Sequence, residues 1–233
     1  KNISKIKIDY VINFSGYVDH SKYADGGNKV IEYQFNGLLN IVNHFLNRSI
    51  NKFINIGSSD EYGTTEKICL ETTREKPFSS YSFAKTASTH FLQMINKSYN
   101  FKVDILRLFL VYGPRQESNR LLPAIIKGCL NDEVIKTSPG MQLRDFLYID
   151  DAMNGIYKIM KKNKNNGEIY NLCSGRGIKI KDFILKVQKN IKKGKIKFGA
   201  ISYRSGESLK LIGSNKKIKN HTKWVPVISL ETG

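Results

Sequence analysis

A chain of 233 residues, 40% hydrophobic and 25% charged, has the composition of an ordinary globular protein and can bury one large core or a main domain with a smaller lobe. It has no apolar run near the ~18 residues of a membrane helix and no signal-peptide layout, so the cytoplasm is the expected compartment and a membrane is not an expected partner. Three scattered cysteines (Cys69, Cys129, Cys173) suggest neither disulfides nor a metal, and the net charge of +18, diluted by asparagine as in Lys161, Lys162, Asn163, Lys164, Asn165 and Asn166, reads as a solvated surface that attracts small anions rather than nucleic acid.

Residues 9–14 form a short apolar run that ends at Ser15-Gly16, the pattern of a buried strand entering a turn. Ile31, Phe35, Leu38, Val42 and Phe45 then recur at helical spacing. A strand is expected at 53–56, closed by Gly57. A helix from about Tyr81 is expected to carry Phe83, Ala87, Phe91 and Met94 or Ile95 inward, and a third strand covers 103–109. Strands alternating with helices predict a doubly wound α/β fold, a parallel sheet covered on both faces. Beyond Gly113-Pro114 the expected elements are a helix at 121–130, a strand at 145–148, a helix at 151–161 and a strand at 169–172. An amphipathic helix through Phe183, Ile184, Val187 and Ile191 follows, then an apolar segment around Trp224. The expected division is a sheet domain over 1–115 and a smaller lobe over 116–233, with about 145–175 returning to the main sheet.

Such a fold normally opens with a strand, a glycine-rich phosphate loop and a helix. None of the 18 glycines makes that loop, and Gly175-Arg-Gly177 reads as a turn. The expectation is a chain without its first two strand-helix units, about 60 residues at roughly 30 per unit.

Tyr81-Ser-Phe-Ala-Lys85 sets a phenol and an ammonium four residues apart, neighbours on one helical face. A free phenol ionises near ~10, so work as a base at neutral pH needs a nearby cation in a partly dehydrated cleft. Alone the pattern is weak, since a tyrosine commonly packs over a lysine stem. Upstream, the strand at 53–56 runs into Gly57-Ser-Ser-Asp-Glu-Tyr-Gly63, which sets the Ser58 and Ser59 hydroxyls at the carboxyl end of a sheet strand, where open α/β sheets bind ligands. Those hydroxyls serve either as turn caps or as donors to the substrate oxygen that the tyrosine protonates.

These two motifs, with Leu106-Arg-Leu-Phe-Leu-Val-Tyr-Gly-Pro-Arg115, Leu143-Arg-Asp-Phe-Leu-Tyr-Ile-Asp-Asp151 and the later Tyr203-Arg-Ser-Gly-Glu207, resemble in order and spacing the NAD-dependent epimerase/dehydratase family of extended short-chain dehydrogenases. The resemblance spans nearly the whole chain. It implies a Rossmann-like fold and a catalytic set of Ser58, Tyr81 and Lys85, with Tyr81 as acid/base and Lys85 lowering its pKa and holding the nicotinamide ribose. It implies that Phe14, Ser15 and Gly16 border NAD or NADP, and that Phe109, Leu110 and Val111 lie between nicotinamide and sugar. Ser59 and Asp60 are implied on the substrate side, and Arg144 and Arg204 at the nucleotide diphosphate, where forked guanidinium donors suit phosphate; the alternative for each arginine is a surface ion pair. The implied partners are a nucleotide-sugar substrate and a second copy, through helices that include the one carrying Tyr81.

Leu110 stands where many members have Asn, Ser80 where Pro is usual, Cys173 where Gly is usual and Gln34 where Asn is common. The implied chemistry is hydride transfer at a sugar carbon, commonly C4, with the tyrosine handling the proton. The acids after Ser58 resemble those of some 4-keto-6-deoxy-sugar reductases, and the dehydratase Thr-Asp-Glu is absent. That ranks 4-epimerase or 4-keto reductase above 4,6-dehydratase, with a non-catalytic dinucleotide-binding protein as the alternative from another class.

Overall fold

The computed structural model describes residues 6–163, 167–204 and 206–233. Lys164, Asn165 and Asn166 of the polar run and Ser205 of the 203–207 motif lie outside the described residues. β1 (Tyr10–Asn13) leads through a loop and a 3-10 turn (Tyr23–Asp25) into one continuous helix, in which α1 (Gly27–Ile31) passes through a π turn (Glu32–Asn36) into α2 (Gly37–Phe45). Then come β2 (Lys52–Ser58), a 3-10 turn (Ser59–Tyr62), α3 (Ser80–Tyr99), β3 (Val103–Leu108), β4 (Leu110–Tyr112) and α4 (Leu121–Leu130). The rest of the chain forms β5 (Val134–Lys136), β6 (Leu143–Tyr148), α5 (Ile149–Met160), β7 (Glu168–Leu172), β8 (Gly177–Lys179), α6 (Ile180–Ile191), β9 (Lys195–Lys197), β10 (Lys210–Leu211) and α7 (Lys216–Thr222).

The main sheet runs β1-β2-β3-β7 with every pairing parallel. Successive side chains of a strand point to opposite faces, so one apolar run supplies two cores. Phe53, Val103, Ile105 and Ile169 pack with Leu38, Val42 and Phe45 of α2 and Leu92 and Ile95 of α3. Ile54, Ile56, Leu106, Tyr170 and Leu172 pack on the other face with Ala152, Ile156 and Ile159 of α5, Ile218 of α7, and Trp224. Each fully buried aliphatic side chain contributes about 1.5–3 kcal/mol. The doubly wound α/β fold expected from the alternation is the one observed, with β1 at one edge of the four strands and β7 at the other. At the amino end of β2, buried Lys52 donates to Asp104 Oδ2 (3.0 Å) and to the carbonyls of Ile159 and Lys162 (each 2.8 Å), placing a cation on the carboxyl end of α5.

After β3 the chain breaks at Phe109 and starts a second sheet, in which β6 pairs in parallel with β4 and β10 and antiparallel with β8. Its core joins Ile125 and Cys129 of α4 to Phe183 and Ile184 of α6, with the Phe146 and Phe183 rings stacked at 4.2 Å. Within 145–175, β7 pairs with β3 and α5 covers the main sheet, while β6 belongs to the second sheet.

The inward face of α3 differs from the expectation. Tyr81, Ala84, Lys85, Ser88, Thr89, Leu92 and Ile95 are buried, whereas Phe83 and Met94 are exposed. Ile95 and Phe91 pack on the core as the apolar periodicity predicts, but at Phe83 and Met94 it fails, because the first half of the helix turns small and polar residues toward the sheet end, where the 59–62 turn needs hydrogen-bond partners.

Candidate active site

Ser58 ends β2 and caps the next turn. Its hydroxyl accepts from Asp60 N (3.1 Å) while Glu61 Oε1 accepts from Ser58 N (2.9 Å), a reciprocal capping box. Across from it α3 begins at its own capping box, Ser79 with Ser82, which fixes where the first turn of that helix starts. Tyr81 and Lys85 therefore enter the carboxyl end of the sheet together. Tyr81 lies near enough to the Ser58 hydroxyl for the two to interact, and Lys85 Nζ donates to Ile56 O (2.9 Å) and lies 5.9 Å from the Tyr81 ring centroid. The structure thus brings Ser58, Tyr81 and Lys85 into one buried cluster.

Burial pushes the Tyr81 phenol up to about 12; the Asp60 and Glu61 carboxylates add to the rise and the Ser58 hydroxyl opposes it. Burial also pulls the Lys85 ammonium below its usual range, against the attraction of Glu61. The lowering of the phenol by Lys85 that the resemblance implies is not observed: burial outweighs it, and the phenol stays protonated at neutral pH.

A buried network that the motifs did not reveal fixes the turn. Glu61 Oε2 accepts from Thr89 Oγ1 on α3 (2.8 Å) and from Arg107 Nε on β3 (2.9 Å). Arg107, with no exposed surface, also donates to Glu75 Oε1 (2.5 Å) and stacks over Tyr62 at 4.6 Å. Burial raises the Glu61 carboxyl, with Arg107 the main opposing charge. Only its first link has a sequence signal, the capping-box spacing of Ser58 and Glu61.

The loop after β1 is braced from behind. Asn13 Oδ1 accepts from Ser15 N (3.0 Å) and Ser15 Oγ (2.5 Å), and Asn13 Nδ2 donates to Asn55 Oδ1 (2.8 Å). Gly16 has φ +108°, and a Cβ there would lie 2.0 Å from Gln34 Oε1. Gln34 Nε2 in turn donates to Tyr17 O (2.6 Å). Phe14 is exposed beside this loop. Phe109 is instead buried with Tyr62, Cys69, Cys173 and Leu211, Leu110 packs toward the second core, and Val111 toward the main one.

Ser59 is buried. Asp60 is raised by burial and held down by the positive charges of His20, Arg144, Arg120 and Arg204, which places these groups around one carboxylate. Arg144 is buried and pairs with Glu207 (2.9 Å), whereas Arg204 is exposed, with its backbone N–H on the same glutamate (3.2 Å). His20 and Arg120 were missed because lone residues in loops carry no spacing signal. Asp145, from the same motif as Arg144, is a latch of the second sheet: it accepts from Ser174 N (2.8 Å), Ser174 Oγ (2.6 Å), Gly175 N (3.0 Å) and Gly213 N (3.3 Å). Among the described residues no cluster of His, Cys, Asp and Glu could hold a metal, and no helix is long and apolar enough to cross a membrane.

Comparison with known proteins matches this arrangement. CDP-abequose synthase of Salmonella typhimurium is 33% identical over 135 residues, 55% of this chain and 44% of that protein. dTDP-glucose 4,6-dehydratase 1 of Escherichia coli is 28% identical over 184 residues, 75% of this chain and 51% of that protein. The chain spans 44% to 61% of the length of the first curated relatives it matches. Among solved structures, UDP-glucuronic acid 4-epimerase from Bacillus cereus, in complex with UDP-glucuronic acid and NAD, superposes with a TM-score of 0.90 at 26% identity, covering 97% of this chain and 73% of that one. The model of the NAD dependent epimerase/dehydratase family matches residues 1–173. With the Ser58, Tyr81 and Lys85 cluster at the carboxyl end of a parallel sheet, the chain belongs to the NAD dependent epimerase/dehydratase family.

Proposed function

We propose that the full-length protein carries out NAD(P)-dependent redox chemistry at C4 of a nucleotide-linked sugar, as a 4-keto-sugar reductase or a 4-epimerase. The observation that carries this reading is the buried cluster of the Tyr81 phenol, the Ser58 hydroxyl and the Lys85 side chain at the carboxyl end of β2. The nicotinamide, when bound, supplies or accepts the hydride. The residues present fit its ribose end: an ammonium has three donors, and Ile56 O takes one from Lys85. Phe14, Ser15, Gly16, Phe109 and Val111 border it in this reading. Ser58 orients the sugar oxygen, Tyr81 moves the proton, Ser59, Asp60 and Leu110 lie on the sugar side, and Arg144 and Arg204 meet the diphosphate.

A phenol protonated at neutral pH favours keto reduction as the first direction to assay, because that half-reaction needs an acid. Asp60, close enough to Tyr81 to perturb it, keeps 4,6-dehydration as a second reading, since eliminating water requires a further acid or base. Exposed Tyr33, Phe83 and Met94 on the helices flanking the sheet support a homodimer through that side.

The test incubates the full-length protein with NAD or NADP, oxidised and reduced, and a panel of nucleotide sugars, with and without Tyr81→Phe. Turnover is expected to fall by ~10²–10⁴ in the variant while cofactor binding persists. Equal turnover in the two proteins removes Tyr81 from the chemistry. The product formed separates reductase, epimerase and dehydratase.

A further inference from the structure

His20 belongs to none of the motifs, yet it stands at the reacting end of the site. Its ring meets the Tyr81 ring edge-on at 5.7 Å between centroids. Its Nε2 lies 4.0 Å from Asp60 Oδ2, and both side chains are about one third exposed, at 38% and 33%. A residue that only packed on Tyr81 would have no need of a nitrogen facing a carboxylate.

We propose that His20 is a positioning residue of this active site, whose imidazolium form keeps the Asp60 carboxyl ionised as a hydrogen-bond acceptor beside Tyr81. The role rests on the acid/base reading of Tyr81 given above. The charged groups that face this pair come from every side. Asp19 lies next to His20 and is occupied by Ser21 N (2.7 Å) and Ser21 Oγ (2.6 Å). Tyr81 comes from α3, Arg120 from the start of α4, Arg144 from β6 and Arg204 from the loop before β10. The arginines are permanent charges. Arg144 is already committed to Glu207 and Arg120 lies 3.6 Å from Glu117, so His20 is the titratable member of the set and the one in direct reach of the carboxylate.

The sign follows from the charges. Burial raises the Asp60 carboxyl and His20 is the first of the groups that lower it. Without His20 the carboxyl takes up a proton at higher pH, and the acceptor beside Tyr81 is lost there.

The experiment uses the full-length protein. The carboxyl carbon of Asp60, labelled with ¹³C and assigned through Asp60→Asn, is titrated in the parent, in His20→Gln and in His20→Phe, the last keeping an aromatic ring against Tyr81. Both substitutions are expected to raise the Asp60 midpoint by about 0.7 pH unit or more, since losing one opposite charge ~4 Å away has that effect in bulk water and a larger one where burial weakens the screening. With the nucleotide sugar that the panel identifies as substrate, the acid limb of kcat/KM moves up by the same amount in both. That limb disappears in Asp60→Asn, on which background His20→Gln has no further effect. A midpoint that does not move, or a limb that stays in place while the midpoint moves, overturns the proposal even when Tyr81→Phe is inactive. Full turnover in Tyr81→Phe instead removes the acid/base reading itself and this role with it.

Discussion

Replacing Arg107 by Met leaves a shape of similar length but strips Glu61 of its main counter-charge. Arg107 and Glu61 have no exposed surface, and the guanidinium bonds Glu61 through both Nε and Nη2 at 2.9 Å. Removing one partner of a buried pair typically costs ~3–5 kcal/mol, because the other charge is stranded without water. Glu61 has a way to lower that cost, since it can take up a proton. Its carboxyl is already raised by burial, and loss of Arg107 raises it further. The folded state of the variant then binds a proton that the unfolded chain releases above ~4.3, so its stability falls as pH rises through that window. Urea unfolding of the full-length protein at pH 5 and pH 8 is the assay. The expected result is a loss of ~3 kcal/mol or more at pH 8 and a distinctly smaller loss at pH 5. A penalty under ~1 kcal/mol, or one equal at both pH values, would refute the account of Glu61 as a stranded buried charge. Because Glu61 also receives Ser58 N, the same variant should lose kcat more than it gains KM.

Leu106→Ala, which empties a fully buried site between the sheet and α5, should cost about 2–5 kcal/mol in the same urea assay. Gly16→Ala puts a Cβ into Gln34 at a φ of +108°, so it should weaken NAD(P) binding by isothermal titration more than it lowers the unfolding midpoint. Asp145→Asn can no longer accept from Ser174, Gly175 and Gly213 with two carboxylate oxygens, and a loss of about 1–3 kcal/mol by thermal or urea unfolding is expected. Asp60→Asn removes a negative charge that holds the Tyr81 phenol up, so the alkaline limb of a reduction assay should move to lower pH; a limb that moves upward contradicts that sign.

The main sheet was legible because its strands are apolar on both faces and its helices repeat every three or four residues, signals that depend only on burial. Ser58, Tyr81 and Lys85 were legible because their separations follow one strand end and one helical face. The face of α3 was misread where Phe83 and Met94 outweighed Ala84, Ser88 and Thr89: hydrophobicity identifies what can be buried, whereas the helix buried what could hydrogen-bond Glu61 or approach the sheet closely. Arg107 and His20 act through partners distant in sequence, Glu75 for the first and Tyr81 for the second, and a contact between loops or across strands leaves no period to read.

The π turn in the helix between β1 and β2 works as a phase shifter. A regular α-helix advances about 100° per residue, so one face carried unbroken from Gly27 to Phe45 could serve one neighbour only. The wider turn at Glu32–Asn36 inserts an extra residue and resets the angle. Downstream, Leu38, Val42 and Phe45 stay on the sheet, while Gln34 is turned to the loop at Gly16 and Tyr17. Deleting a single residue there, such as exposed Tyr33, would bring the two halves back into phase without touching a core side chain. The helix would be more regular for it, and the loop at Gly16 and Tyr17 would lose its prop.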